Sequence, residues 1–321
     1  SSAPWLPSRF YGDAVSEAQR EYLGTLWNTY CFYILYAEID KFDPTKYDLK
    51  KCKLTVMDKW MLSGLNSLVD TVDKCLNEYK ITEAARALQD FADSLSNWYV
   101  RRCRRRFWAS GEGEDKIAAF TALYTALETL SRLSAPFTPF MSESIYDNVV
   151  RSVNKNAAES VHLTDFPKAD FKYVDKSLEE GMNIIIEAAE LGRSARNAAK
   201  IKNRQPLSVM YLSGDGAQRL KKEKAAIRNQ LTEILADEMN VKKIELIDDA
   251  SDLMTYEVKP QLKTVGPKYG KSVGAIREHL SLNGDKAANA VKGGGVYSFE
   301  VNGETVTLAE SDMLISGVQR D

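Results

Sequence analysis

The sequence predicts a mainly α-helical protein: an antiparallel helical bundle followed by a smaller α+β module. Three observations carry that expectation. Over roughly the first two hundred residues, apolar side chains recur three and four apart in long runs, the period of a helix with one buried face. Prolines and glycines punctuate those runs, as short connections between antiparallel neighbours require. After Pro206 the runs shorten, and Asn302-Gly303 between Val296–Val301 and Glu304–Leu308 is a strong hairpin signal.

The first helix is expected from an N-cap at Asp13 to about Ile39, with Leu23, Leu26, Tyr30 and Ile34 on one stripe. Phe42-Asp43-Pro44 ends it. Met57, Met61, Leu65, Leu68, Val72 and Leu76 mark a second helix. A third starts near Thr82 with Leu88, Phe91, Leu95, Trp98 and Tyr99 inward, and Gly111-Glu112-Gly113 closes it. Phe120, Leu123, Leu127, Leu130 and Leu133 make a fourth, and Thr138-Pro139 suits the N-cap and first position of a fifth. An extended crossing segment, Asn154 to Asp170, leads to a long basic helix from about Asp175 to Asn203. Beyond Pro206 a strand is expected at Leu207–Leu212, a helix at Gln218–Asn240, a strand at Lys243–Ile247, then the hairpin, with Gly293-Gly294-Gly295 as a flexible lead into it. The expected organisation is thus a bundle over 1–153, the crossing segment and basic helix over 154–206, and an α+β junction module over 207–321.

Composition excludes several function classes. The chain has 321 residues, 44% of them apolar, enough for a real core and two domains. Four cysteines without a Cys-x-x-Cys pair, and two isolated histidines, do not support a metal site, and reduced thiols in a cytoplasmic setting are expected. The longest apolar run, Tyr30 to Ala37, is far short of a bilayer span of about twenty residues. No signal peptide is read at the start, so no membrane partner is expected. Net charge is −2, so any polyanion site must come from local segregation of charge.

That segregation is concentrated in Ser96–Trp108, with five arginines, four aromatics and no acid. At helical spacing Arg101, Arg104, Arg105 and Trp108 share one face, while Arg102 and Arg106 lie nearer the core side. Arginine offers a planar fork of donors that suits phosphates and base edges, and an aromatic adds a stacking surface. The face reads as one that binds nucleic acid; an arginine-rich solvated face is the alternative. A second patch, Arg193, Arg196 and Lys200 at helical spacing with Lys202 and Arg204 beyond, suits backbone phosphates. It equally suits a solvated helix end, where cations complement the dipole. Ala195, Ala198 and Ala199 are expected to let this helix pack closely. A third acid-free span runs from Val258 to Arg277. Within it, Gly266–Ser272 imitates a phosphate-binding loop but has one residue too few between its glycines, and it is read as a basic loop.

Several of these segments together resemble the anticodon-binding region of the isoleucyl-tRNA synthetase family, in the type found in eukaryotes, archaea and some bacteria. They are Leu26–Tyr30 with Leu35–Asp40, Leu95–Trp108, Ala135–Phe140 with Glu143 and Tyr146, Val161-His162-Leu163 with Pro167, and Ile201–Leu207. The likeness is dense to about residue 210 and thinner after it, where Lys259-Pro260 and Gly266–Gly270 still fit. The valyl and leucyl families share the bundle but lack the arginine string, which favours isoleucine over a valyl-type region.

The resemblance implies a module that binds the anticodon stem-loop of isoleucine tRNA through Arg101, Arg104, Arg105, Trp108, Arg193, Arg196, Lys200, Lys202 and Arg204. It implies a C-terminal fragment of an ATP-dependent ligase, since neither a His-Ile-Gly-His signature nor a Lys-Met-Ser-Lys-Ser loop is present. Ser1–Phe10 resembles the stretch that follows the catalytic domain, which would be the fragment's partner in the full-length chain. ATP and magnesium would serve that domain, and no cofactor or catalytic residue is expected here. The alternative of a different class is a protein–protein interaction scaffold appended to a synthetase.

Overall fold

The computed structural model describes residues 11–111, 113–248, 254–291 and 294–319. The expectations placed on Ser1–Phe10, Glu112 and Gly293 lie outside these residues. The chain forms two compact units, one of residues 1–192 with 223–235, the other of 193–222 with 236–321. The expected middle segment, 154–206, therefore divides between them.

The first unit is the helical bundle. Helix α1 covers 12–40, with a wider π turn at Gln19–Gly24. It starts behind Tyr11, without a side-chain cap, so Asp13 sits inside the first turn instead of capping it. There its charge still faces the positive end of the helix. Lys41, in the left-handed region at φ 52°, stops the helix. Helix α2, Val56–Asn77, opens with a reciprocal capping box between Thr55 and Asp58. Helix α3 covers 81–108, α4 is Glu114–Ser134 and α5 covers 139–151.

Leu26, Tyr30, Met61, Leu65, Leu88, Leu95, Phe107, Phe120, Leu127 and Leu130 are buried, so the periodic stripes of the sequence form the core. In the crossing segment, Glu143 accepts hydrogen bonds from the Ser160 hydroxyl (2.8 Å) and the Val161 N–H (2.9 Å). Helix α6, Lys176–Ala198, then docks through Glu179 on the hydroxyls of Ser63 and Ser67.

The second unit opens with β1 (Leu207–Leu212) and β2 (Val241–Leu246), which pair in parallel across a helical crossover. The single helix expected between them is two, α7 (Asp215–Lys222) and α8 (Ala225–Met239). The helix is interrupted at Glu223-Lys224, and Leu220 and Leu231 are both buried.

Strand β3 (Met254–Pro260) is followed by α9 (Leu262–Tyr269), α10 (Val273–Leu282) and α11 (Gly284–Val291). Strands β4 (Val296–Val301) and β5 (Glu304–Ala309) form the expected hairpin, with Asn302 and Gly303 both at positive φ. Strand β6 (Met313–Gln319) returns antiparallel to β3. Val265, Ile276, Leu280, Val306 and Leu308 centre this core. Gly284 is required where α11 meets β3, because a Cβ there would lie 1.9 Å from the Tyr256 carbonyl oxygen. Among the described residues, no helix is long and apolar enough to cross a membrane.

Candidate nucleic-acid interface

Helix α3 carries the arginine run at the C-terminal end of its length. It is not uniformly α: residues Leu95–Val100 form a π turn. The extra residue in that turn lets Trp98, Tyr99 and Val100 all be buried in succession. Beyond it the buried positions are Cys103 and Phe107, and Arg101, Arg104, Arg105 and Trp108 emerge together on the exposed side. The structure thus gathers the first four predicted residues on one face.

Each is held differently. Arg101 Nε donates to the Asn97 carbonyl at 2.7 Å, and its guanidinium lies 5.8 Å from the Trp98 ring centre. Arg104 and Arg105 project outward, and among the described residues neither has an ion-pair partner. Trp108 is 54% exposed, with the Tyr36 ring 6.4 Å away. An arginine pair without carboxylates, beside a half-open indole, can accept phosphate oxygens and an unstacked base without first breaking contacts.

Arg106 does opposite work. Its Nη1 and Nη2 donate to the two carboxylate oxygens of Asp58 at 2.7 and 2.8 Å, and Nε donates to Asp115 at 2.9 Å. Asp58 is fully buried and also accepts from the Tyr99 hydroxyl (2.7 Å) and from the Thr55 N–H and hydroxyl (2.8 and 2.7 Å). Burial alone would raise the Asp58 pKa. The hydrogen bond and charge of Arg106, helped by Tyr99 and Thr55, hold it below the ordinary carboxylate value instead. This network ties the arginine turn of α3 to the start of α2. Reading the sequence for binding residues passed over Asp58; the signal for it was Thr55-x-x-Asp58, a capping pattern.

The second predicted patch is rearranged. Helix α6 stops at Ala198, five residues before the expected Asn203. Lys200 takes φ 57° and the Ile201 N–H returns to the Arg196 carbonyl at 2.8 Å, a left-handed helix stop. Arg196 is only 4% exposed. It donates to the carbonyls of Lys202 (3.1 Å), Gln205 (3.0 Å) and Met239 (2.7 Å). Its place on a phosphate-gripping face is therefore corrected: a guanidinium surrounded by chain-end carbonyls serves as an internal cap. Ala195, Ala198 and Ala199 are exposed, so this helix buries its arginine side and not its alanine side. Arg193 pairs with Glu238 at 2.9 Å. Lys200, Lys202 and Arg204 are exposed on the turn after the helix, off any common helical face.

The imitation phosphate loop, expected to be a basic loop, is helical instead, with a 3-10 turn at Gly270–Ser272. Gly266–Tyr269 belongs to α9, with Pro267 inside the helix, and Lys268 lies 2.8 Å from the buried Asp312 carboxylate. Among the described residues, no group of three His, Cys, Asp or Glu side chains converges on a possible metal position.

Residues 58–211, which include the arginine turn, match the model of the anticodon-binding domain of tRNA ligase. This stretch of the chain belongs to the tRNA ligase anticodon-binding family. Along 98% of its length it is similar to isoleucine--tRNA ligases: 46% identical over 317 residues to that of Clostridium acetobutylicum, 39% over 316 to that of Thermus thermophilus, and 37% over 317 to that of Bacteroides fragilis. The chain spans 30% of the length of the first two relatives and 27% of the third. The anticodon-binding domain and the following α+β module thus correspond to one stretch of these longer ligases.

Proposed function

We propose that this chain binds the anticodon stem-loop of isoleucine tRNA and positions it, in the cytoplasm, for an ATP-dependent isoleucine–tRNA ligase. The observation that carries this reading is the outward face of α3, where Arg101, Arg104, Arg105 and Trp108 are exposed while Arg106 is withdrawn into the fold. Loop bases are unstacked, so an indole and guanidinium planes can hold them while other donors read their edges. Of the second patch, Lys200, Lys202 and Arg204 fit backbone phosphates as surface cations. Arg193 is engaged with Glu238, and Arg196 supports the turn that carries them. ATP and magnesium would serve the catalytic portion of such a ligase.

Titration with isoleucine tRNA and an anticodon-swapped tRNA, at low and moderate salt, tests the proposal. Salt-sensitive binding that prefers the native anticodon is expected. Replacing Arg104 and Arg105 by Ala should weaken it without unfolding the bundle. No binding to either tRNA would point to a protein–protein scaffold instead.

A further inference from the structure

The connection between α1 and α2 carries five lysines, Lys41, Lys46, Lys50, Lys51 and Lys53, against two acids, Asp43 and Asp48. Both acids are turned onto the loop's own backbone. Asp43 accepts from the Thr45 N–H (3.0 Å) and hydroxyl (2.6 Å), and Asp48 accepts from the Lys50 N–H (3.0 Å). Lys46 reaches Asp43 at 3.6 Å; among the described residues Lys41, Lys50, Lys51 and Lys53 have no ion-pair partner, and all are exposed.

This loop is fixed, not trailing. Phe42 stacks on Tyr47 (ring centres 5.3 Å, 4° between planes) and on Phe120 of α4 (4.8 Å, 22°). Phe120 in turn receives the edge of Phe107 from the arginine helix at 4.9 Å. One buried ring therefore joins the lysine loop to the arginine turn. A second link runs through Thr55, whose hydroxyl lies 3.4 Å from Arg106 Nη1 and which follows Lys53 by two residues. The loop also borders a cleft of about 240 Å³ lined by Lys46, Lys51 and Lys53 together with Asp48 and Glu114.

We propose that the α1–α2 loop is a second RNA-backbone surface, in which Lys50, Lys51 and Lys53 hold phosphates of the same strand whose bases meet Arg104, Arg105 and Trp108. It rests on the functional reading above and extends the site from one helix face to the whole end of the bundle. Preset lysines supply sequence-independent affinity, leaving discrimination to the arginines and the indole.

The test uses the chain as it is, titrated with an isoleucine-tRNA anticodon stem-loop transcript over a salt series. Lys50→Ala/Lys51→Ala/Lys53→Ala should weaken binding by about tenfold or more and flatten the slope of log affinity against log salt by about one per lysine. The Lys→Arg triple variant should keep both, since charge is what is used, and circular dichroism should show unchanged folding for each. If the Ala variant keeps wild-type affinity and slope while Arg104→Ala/Arg105→Ala loses binding, the lysine surface is refuted and the anticodon reading stands. If the unaltered chain does not bind the transcript, both fail.

Discussion

Removing the Asp58 carboxylate should be among the most damaging single changes available to the bundle. Asp58→Ala deletes the acceptor of two Arg106 donors, the Tyr99 hydroxyl and the Thr55 N–H, and leaves Tyr99 fully buried with no other close acceptor than the Ala119 carbonyl at 3.5 Å. Breaking a buried ion pair by removing one partner costs about 3–5 kcal/mol, and the lower end applies here because Arg106 keeps its contacts with Asp115. The lost capping box adds to that by about 1 kcal/mol. Against a typical total stability of about 5–15 kcal/mol, the variant should lose a large share of its resistance to urea. The assay is urea unfolding followed by circular dichroism, with Arg106→Ala and the double variant completing a cycle. Coupling between the two sites should be at least about 2 kcal/mol. A loss under about 1 kcal/mol for Asp58→Ala would refute the network as an anchor of the arginine turn.

The same carboxylate gives a pH dependence of defined sign. Its folded pKa is held below the ordinary value of about 3.9, so the unfolded chain takes up this proton first as acid is added. The stabilisation is complete well above pH 4 and is lost as pH falls through the folded pKa.

Trp98→Ala should cost about 3–5 kcal/mol, since the indole is buried and its loss opens a cavity; a wild-type melting curve would place Trp98 on the wrong side of α3. Arg196→Ala should destabilise the second unit by about 3 kcal/mol, because hydrogen bonds from a charged donor to four carbonyls are lost, and it should speed amide exchange at Gln205–Leu207. If that variant instead keeps its stability and loses tRNA affinity, the internal-cap assignment fails.

Much of the bundle was legible because its information is local. The stripes of α2 and α4 are buried nearly residue for residue, and a 3.6-residue period needs no knowledge of the partner helix to be seen. Asn302-Gly303 was legible for the same reason, since a two-residue turn with positive φ is specified by the residues in it. The β3–β6 pair was not foreseen: it joins residues about sixty apart, and neither strand has a local mark that names the other.

The binding face divides along the same line. Sequence by itself determined that five arginines and four aromatics lie together on one helix, and that Trp98 and Tyr99 belong inside. Helical spacing also placed Arg102 and Arg106 nearer the core side; only the tertiary structure decided what Arg106 meets there. The π turn at Leu95–Val100 rephases the helix, and a buried carboxylate on a different helix selects Arg106, leaving Arg104 and Arg105 outside. It likewise turned Arg196 inward, because the carbonyls it satisfies come from two separate stretches of chain, 202–205 and 239–240, that meet only on folding. A cation's position along a helix is written in the sequence; its partner, and therefore its job, is fixed by what folding brings within about 3 Å of it.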